Sequence, residues 1–289
     1  MALSISNFRI KTKHYLFAVL ATYIIFCQSC MMMRTSPKKT ILFFKESNIS
    51  FIDKTVTIDQ HQIHYIATGQ EINPTLIFIH GSPGSWDAFK KYLADPLLLQ
   101  KYHMIAIDRP GFGHSNFGKA ENLRTQSLRI RAFLKIIDIK KPIALIGHSL
   151  GGPLIVEIAI RNPNDYKHLV ILSGSIDPDA EKKEKWRNFI NKKPFRYLIP
   201  GALRPANDEL WWLKQDLVDM KPFLKEVTCP ITLIHGTKDR LVPFSNVGFM
   251  QKEFINSKDI HIIAIDKADH FIPWSHFEII RNALLALKL

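Results

Sequence analysis

Gly147-His148-Ser149-Leu150-Gly151 closes an apolar run that begins at Ile143, and a helix-forming stretch from Leu154 to Ile160 follows at once. A serine held between two glycines at a strand-to-helix junction has the layout of a nucleophile. The chain must reverse tightly there, so glycine two residues before and two after the serine removes Cβ atoms that would collide. The turn lifts the Ser149 hydroxyl above the sheet edge. It also sets the hydroxyl at a helix N-terminus, whose free backbone amides favour developing negative charge. A serine hydroxyl is a weak nucleophile until a base takes its proton. With 12 histidines in the chain, composition alone does not choose that base.

Four further motifs surround this one, each behind an apolar run. Leu76-Ile77-Phe78-Ile79 leads into His80-Gly81-Ser82-Pro83-Gly84, and Met104-Ile105-Ala106-Ile107 into Asp108-Arg109-Pro110-Gly111-Phe112-Gly113-His114-Ser115. Downstream, Ile231-Thr232-Leu233-Ile234-His235 precedes Gly236-Thr237-Lys238-Asp239, and Ile262-Ile263-Ala264-Ile265 precedes Ala268-Asp269-His270. In this order, from about residue 52 to the C-terminus, the sequence resembles the α/β-hydrolase superfamily, in its serine-nucleophile branch. The relatives with an acid nucleophile, such as epoxide hydrolases and haloalkane dehalogenases, carry aspartate where this chain has Ser149.

The resemblance implies a catalytic triad of Ser149, Asp239 and His270, in the Ser-acid-His order of that fold. His270 would take the serine proton, and Asp239 would orient the imidazole and stabilise its cation while staying ionised. Asp177, after the run Leu169-Val170-Ile171-Leu172, is the alternative acid; Asp239 is preferred because Gly236-x-x-Asp239 fits the usual acid loop. The oxyanion hole would use the backbone N–H groups of Ser82 and Leu150. Loss of one such donor typically costs about 3 kcal/mol of barrier. His80 is read as fixing its loop, His148 as packing, Asp108 and Arg109 as scaffolding, and Asp269 as a loop residue. No cofactor is implied, and no Cys/His spacing suggests a metal site.

These residues need elements to position them. Residues 55–59 and 61–67 alternate apolar and polar side chains around Asp59-Gln60, the pattern of an antiparallel hairpin at a sheet edge. Short apolar runs at 76–79, 104–107, 143–146, 169–172, 231–235 and 261–265 read as strands buried on both faces. Helical patterns, among them 123–137 and 153–160, separate them. The fold class is therefore α/β: a mostly parallel twisted sheet flanked by helices, with right-handed crossovers. Sites form at the carboxyl ends of strands in such sheets, which is where Ser82, Ser149, Asp239 and His270 fall. Residues 177 to about 222 break the rhythm and mix Trp186, Phe189, Phe195, Tyr197, Trp211, Trp212 and Phe223 with Lys182, Lys183, Lys185, Lys192 and Lys193. In the resembling family an insertion here forms a small helical lid. Its aromatics would roof the site or dock the lid to the core, with the lysines outside.

The 289 residues suit one large core with a small insertion. The formal net charge of +13 permits anionic surfaces or acidic substrates without specifying either. The cations are scattered and accompany no nucleic-acid motif, so no nucleic-acid partner is expected. The first 29 residues hold Arg9, Lys11 and Lys13 with no acid, then an apolar run from Tyr15 to Phe26 ending at Cys27-Gln28-Ser29-Cys30. A basic stretch followed by about a dozen apolar residues is a secretory signal pattern. The closing Ser-Cys resembles a bacterial lipoprotein cleavage site, with Cys30 the lipid-bearing residue. An uncleaved signal anchor is the alternative. Either places the protein outside the cytoplasm at a membrane. The expected organisation is a signal peptide over 1–29, a tether over 30–50 and a hydrolase domain over 51–289 with its lid at 177–222. Cys229 reads as a core thiol.

The expected activity is that of a serine hydrolase cleaving a carboxylic ester or related small acyl substrate through a Ser149 acyl-enzyme. Acyl transfer, carbon–carbon bond hydrolysis and aminopeptidase activity use the same residues and remain open. A non-catalytic binding protein on this scaffold would ordinarily have lost a triad member or an elbow glycine.

Overall fold

Apolar runs of five or six residues can bury both faces only between two layers of helix, and the strands of this chain lie in such a position. The computed structural model describes residues 12–289; Arg9 and Lys11 lie outside the described residues. Eight strands form one sheet: β1 (Phe51–Ile58), β2 (His61–Thr68), β3 (Thr75–Ile79), β4 (His103–Ile107), β5 (Ile143–His148), β6 (His168–Leu172), β7 (Ile231–Gly236) and β8 (Ile260–Ile265). Their spatial order is β1-β2-β4-β3-β5-β6-β7-β8. β1 and β2 pair antiparallel, β2 meets β4 antiparallel, and every other pair is parallel. The hairpin turn is Asp59-Gln60, both in the left-handed region at φ 45° and 68°. That is the backbone of a type I′ turn, whose twist matches the strands it joins.

Alternate residues of the central strands feed two cores. Ile77, Ile79, Ile105, Ile107 and Leu145 face one helical layer with Leu154 and Ile158. Leu76, Phe78, Met104, Ala106, Ala144 and Ile146 face the other, with Trp86, Phe89 and Tyr92. Burying each such side chain stabilises the fold by roughly 1.5–3 kcal/mol. After β3 the chain adds β4 on one side and then β5 on the other. The loops after β3 and β5 therefore diverge and leave a crevice between them, the switch point at which open α/β sheets bind ligands.

The segment expected to be a tether is instead packed structure. Residues Pro37–Glu46 form a helix that buries Thr40 and Phe44, one helical turn apart. The Phe44 ring stacks 4.5 Å from Phe51 and 6.0 Å from Trp86. Ten residues with one buried i, i+4 pair carry too little periodicity to announce a helix, and the burial comes from tertiary contact. Ahead of it, Thr12–Ser29 is helical and leaves eight large apolar side chains exposed, from Tyr15 to Phe26. Among the described residues no helix is long and apolar enough to cross a membrane. Its end is fastened to the lid: Gly201 N–H donates to Cys27 O at 2.8 Å and Ala202 N–H to Met31 O at 2.9 Å. Cys229 is buried, and burial pushes its thiol up to about 11.

The lid comprises a short helix Trp186–Ile190, a 3-10 turn Phe195–Leu198 and a long helix Leu203–Met220. Most of its aromatics neither roof the site nor dock the lid to the core, the two roles the sequence left open for them. Trp186, Phe189, Phe195, Tyr197, Trp212 and Phe223 are exposed. The long helix turns the stripe Ala206, Glu209, Leu213, Leu217 and Met220 inward instead.

Candidate active site

The elbow is strained where the sequence requires it. Ser149 has φ +54°, a conformation that costs a non-glycine residue of order 1–3 kcal/mol. Its N–H donates to Leu172 O on β6 at 2.9 Å, and its carbonyl accepts from Gly152 N–H at 2.9 Å. These bonds hold the turn between β5 and the helix Gly151–Arg161. A Cβ on Gly147 would lie 2.2 Å from Gly151 O, and one on Gly81 would lie 2.9 Å from Ser149 Cβ. Neither position tolerates a side chain, so the loop after β3 can approach the serine closely.

His270 follows β8 and is 4 % exposed. Its Nδ1 donates to Asp239 Oδ2 at 2.8 Å, which leaves Nε2 as the atom free to take a proton. Asp239, after β7, accepts twice more through Oδ1, from Leu241 N–H at 2.9 Å and Val242 N–H at 2.8 Å. Burial works against its charge, but the adjacent His235 ring and the hydrogen bonds from His270 and Val242 N–H outweigh it. The carboxyl is held well below the usual carboxylate range and stays ionised. His235 Nε2, which donates to Val242 O at 2.9 Å, stands 3.4 Å from Asp239 Oδ2.

The neighbouring histidines take supporting places. His148 is buried and donates from Nε2 to His270 O at 3.1 Å. Burial, with His270 beside it, pushes its ring down to about 3, so it is neutral. His80 donates from Nδ1 to Gly81 O at 2.7 Å and accepts Arg109 N–H on Nε2 at 3.0 Å. Burial and the Arg109 charge push it down to about 3 as well. Asp108 is fully buried and accepts from Trp86 N–H, His114 N–H and His64 Nδ1 at 2.7, 2.8 and 2.7 Å. Asp269 is taken by Arg240. Asp177 is turned to its own loop, where Oδ1 accepts from Asp179 N–H. Asp239 is thus the carboxylate that meets His270.

Ser149, His270, Ser82 and Leu150 line one cavity of about 780 Å³. Its apolar walls are Leu210 and Leu213 of the lid, Leu241 and Val242 of the acid loop, and Phe271 and Trp274 beyond the histidine. Two further lining residues, Met33 and Arg34, come from the segment that the sequence consigned to a tether. Arg34 donates to Gly113 O at 2.8 Å, and Thr35 Oγ1 donates to Asp87 Oδ2. The strap is thereby tied to the core at one end and to the lid at the other. Nothing in the local sequence of Met31-Met32-Met33-Arg34 signals this. Among the described residues no group of His, Cys, Asp and Glu is arranged to hold a metal ion.

Residues 74–198 match the family model described as alpha/beta hydrolase fold. A 2-hydroxy-6-oxononadienedioate/2-hydroxy-6-oxononatrienedioate hydrolase of Paraburkholderia xenovorans is 26% identical over 262 residues, covering 75% of this chain and 87% of the relative. A bifunctional esterase/perhydrolase of Acinetobacter calcoaceticus is 24% identical, covering 80% of this chain and 97% of the relative. Among solved structures, a membrane phospholipase A superposes with a TM-score of 0.65 at 20% identity, over 95% of this chain and 96% of the other. That likeness is one of fold.

Proposed function

In this enzyme of the alpha/beta hydrolase fold, we propose that Ser149 is the nucleophile and that the reaction is hydrolysis of a carboxylic ester through an acyl-enzyme. The observation that carries the reading is the single cavity shared by the strained Ser149 elbow and a buried His270–Asp239 pair joined at 2.8 Å. One relative, named as a bifunctional esterase/perhydrolase, supports it.

His270 Nε2 takes the hydroxyl proton as Ser149 Oγ attacks the ester carbonyl. The carbonyl oxygen becomes an oxyanion facing the amides of Ser82 and Leu150. Collapse breaks the bond to the alcohol, which leaves with the proton from His270 and leaves Ser149 acylated. Water then gives a proton to His270 and attacks the acyl carbon; collapse breaks the bond to Ser149 Oγ, which takes the proton back from His270 as the acid is released. Leu210, Leu213, Leu241 and Phe271 suit an apolar acyl chain, and the cavity volume lies within the range of small-molecule sites.

Hydrolysis of p-nitrophenyl esters from acetate to decanoate tests the proposal. The protein should turn over the series, and Ser149→Ala should lower kcat at least about 10⁴-fold, as loss of a triad nucleophile does. A variant that keeps wild-type turnover, or a wild-type protein inert to every ester, would overturn it.

A further inference from the structure

Arg109 is fully buried, yet it spends its side chain on the oxyanion loop. Nε donates to His80 O at 2.9 Å and Nη2 donates to Gly81 O at 2.9 Å. Nη1 donates to Gln126 Oε1 at 2.8 Å. The remaining donors form a fork onto Glu209, Nη1 to Oε2 and Nη2 to Oε1, both at 2.8 Å. All five N–H donors of the guanidinium are therefore used. Its face lies 4.6 Å from the Phe112 ring. Glu209 belongs to the long lid helix, on the stripe turned toward the core.

A buried ion pair of this kind could serve merely to staple the lid down, and buried pairs are weak evidence of net stability. The Gly81 carbonyl distinguishes this one. It belongs to the same peptide group as Ser82 N–H, and in a trans peptide the N–H points opposite to the C=O. Two donors converge on that carbonyl, Arg109 Nη2 at 2.9 Å and His80 Nδ1 at 2.7 Å. They fix the peptide plane. Hydrogen bonds in series also polarise one another, so a cation on the carbonyl side strengthens the amide on the other side as a donor.

We propose that Arg109 is a positioning residue that orients and polarises the Gly81–Ser82 peptide for the oxyanion, and that Glu209 makes this depend on the seated lid. The proposal rests on the Ser149 reading. It accounts for a charged side chain in the middle of an otherwise apolar lid stripe. It also makes the oxyanion hole complete only when the roof over the substrate is in place.

The test uses the full chain and two variants. Arg109→Met with Glu209→Leu removes the pair and leaves no unpaired buried charge, a replacement that commonly preserves stability. Glu209→Gln keeps the shape of the side chain and weakens the fork, and it is read as well in case the double variant fails to fold. Each is titrated with a fluorophosphonate so that rates are per reactive serine. The expected result is a fall in kcat of about 10- to 100-fold with KM within about threefold. Affinity for an alkyl boronic acid, which forms a tetrahedral adduct on the serine, should fall in parallel, while affinity for the product carboxylate stays unchanged. Wild-type kcat per labelled serine in a folded variant would overturn the proposal. So would equal losses of boronic acid and carboxylate affinity, which mean a general loosening of the cavity. If the wild-type protein itself takes no label, the serine reading has failed rather than the role of Arg109.

Discussion

Ser149 sits at φ +54° because the elbow that exposes its hydroxyl needs the left-handed backbone, and the surrounding bonds to Leu172 and Gly152 offset that strain. This much was legible in the sequence, since the glycine-flanked serine stands behind an apolar run and in order among four further motifs. Asp239 and His270 came from strand order together with the resemblance, and the structure joins the two at 2.8 Å. What holds them was not legible, because the roles of His148, His235 and the Leu241 and Val242 amides depend on which loops meet across the sheet. Asp239→Asn tests the orienting carboxylate. The amide oxygen can still accept from Leu241 and Val242 N–H, but its nitrogen no longer accepts from His270 Nδ1. The imidazole is then held in the wrong tautomer, so kcat should fall by about 10⁴-fold with KM little changed. Steady-state kinetics on a short p-nitrophenyl ester read it.

Elements follow apolar periodicity where they are long, and tertiary contact where they are short. The strands and the helix Leu123–Ile136 lie where their patterns put them. The helix Pro37–Glu46 and the strap before it do not announce themselves, having one buried turn and a run of methionines. The lid helix was mixed: its aromatics suggested a roof or a seam docked to the core, yet Leu210 and Leu213 face the cavity. Glu209 had a readable signal, an acid in register with Ala206, Leu213 and Leu217, which calls for a buried partner. Asp216 on the same helix accepts Leu123 N–H at 3.0 Å, and burial pushes its carboxyl up to about 6 from an ordinary value of 3.8. A raised folded-state pKa means the folded protein holds the proton more tightly than the unfolded chain. Its stabilising effect is complete below about pH 4 and is lost as the pH rises through 6. Asp216→Asn keeps an acceptor for Leu123 and removes the charge. It should raise Tm at pH 8 by about 2 °C, on the order of 1 kcal/mol, with no gain at pH 4. Thermal melts at the two pH values check both the sign and the window.

At the scale of the whole molecule, one reversal of strand order assembles the site. β3 ends at the Gly81–Ser82 loop and β5, beside it, at Ser149; β7 and β8 bring Asp239 and His270 from more than 80 residues away along the chain. The parallel sheet makes all of these carboxyl ends face the same way, which is why sequence order sufficed to bring the loops together. The lid and the strap close the remaining sides of the cavity, and Arg109 joins the lid to the loop at its base. The central claim is that this assembly activates Ser149. Mass spectrometry of the intact protein after exposure to a fluorophosphonate, with peptide mapping and Ser149→Ala as control, tests it most directly. The account predicts one adduct, on Ser149, absent from the variant. Folded protein that takes no adduct, or takes it on another serine, would contradict it.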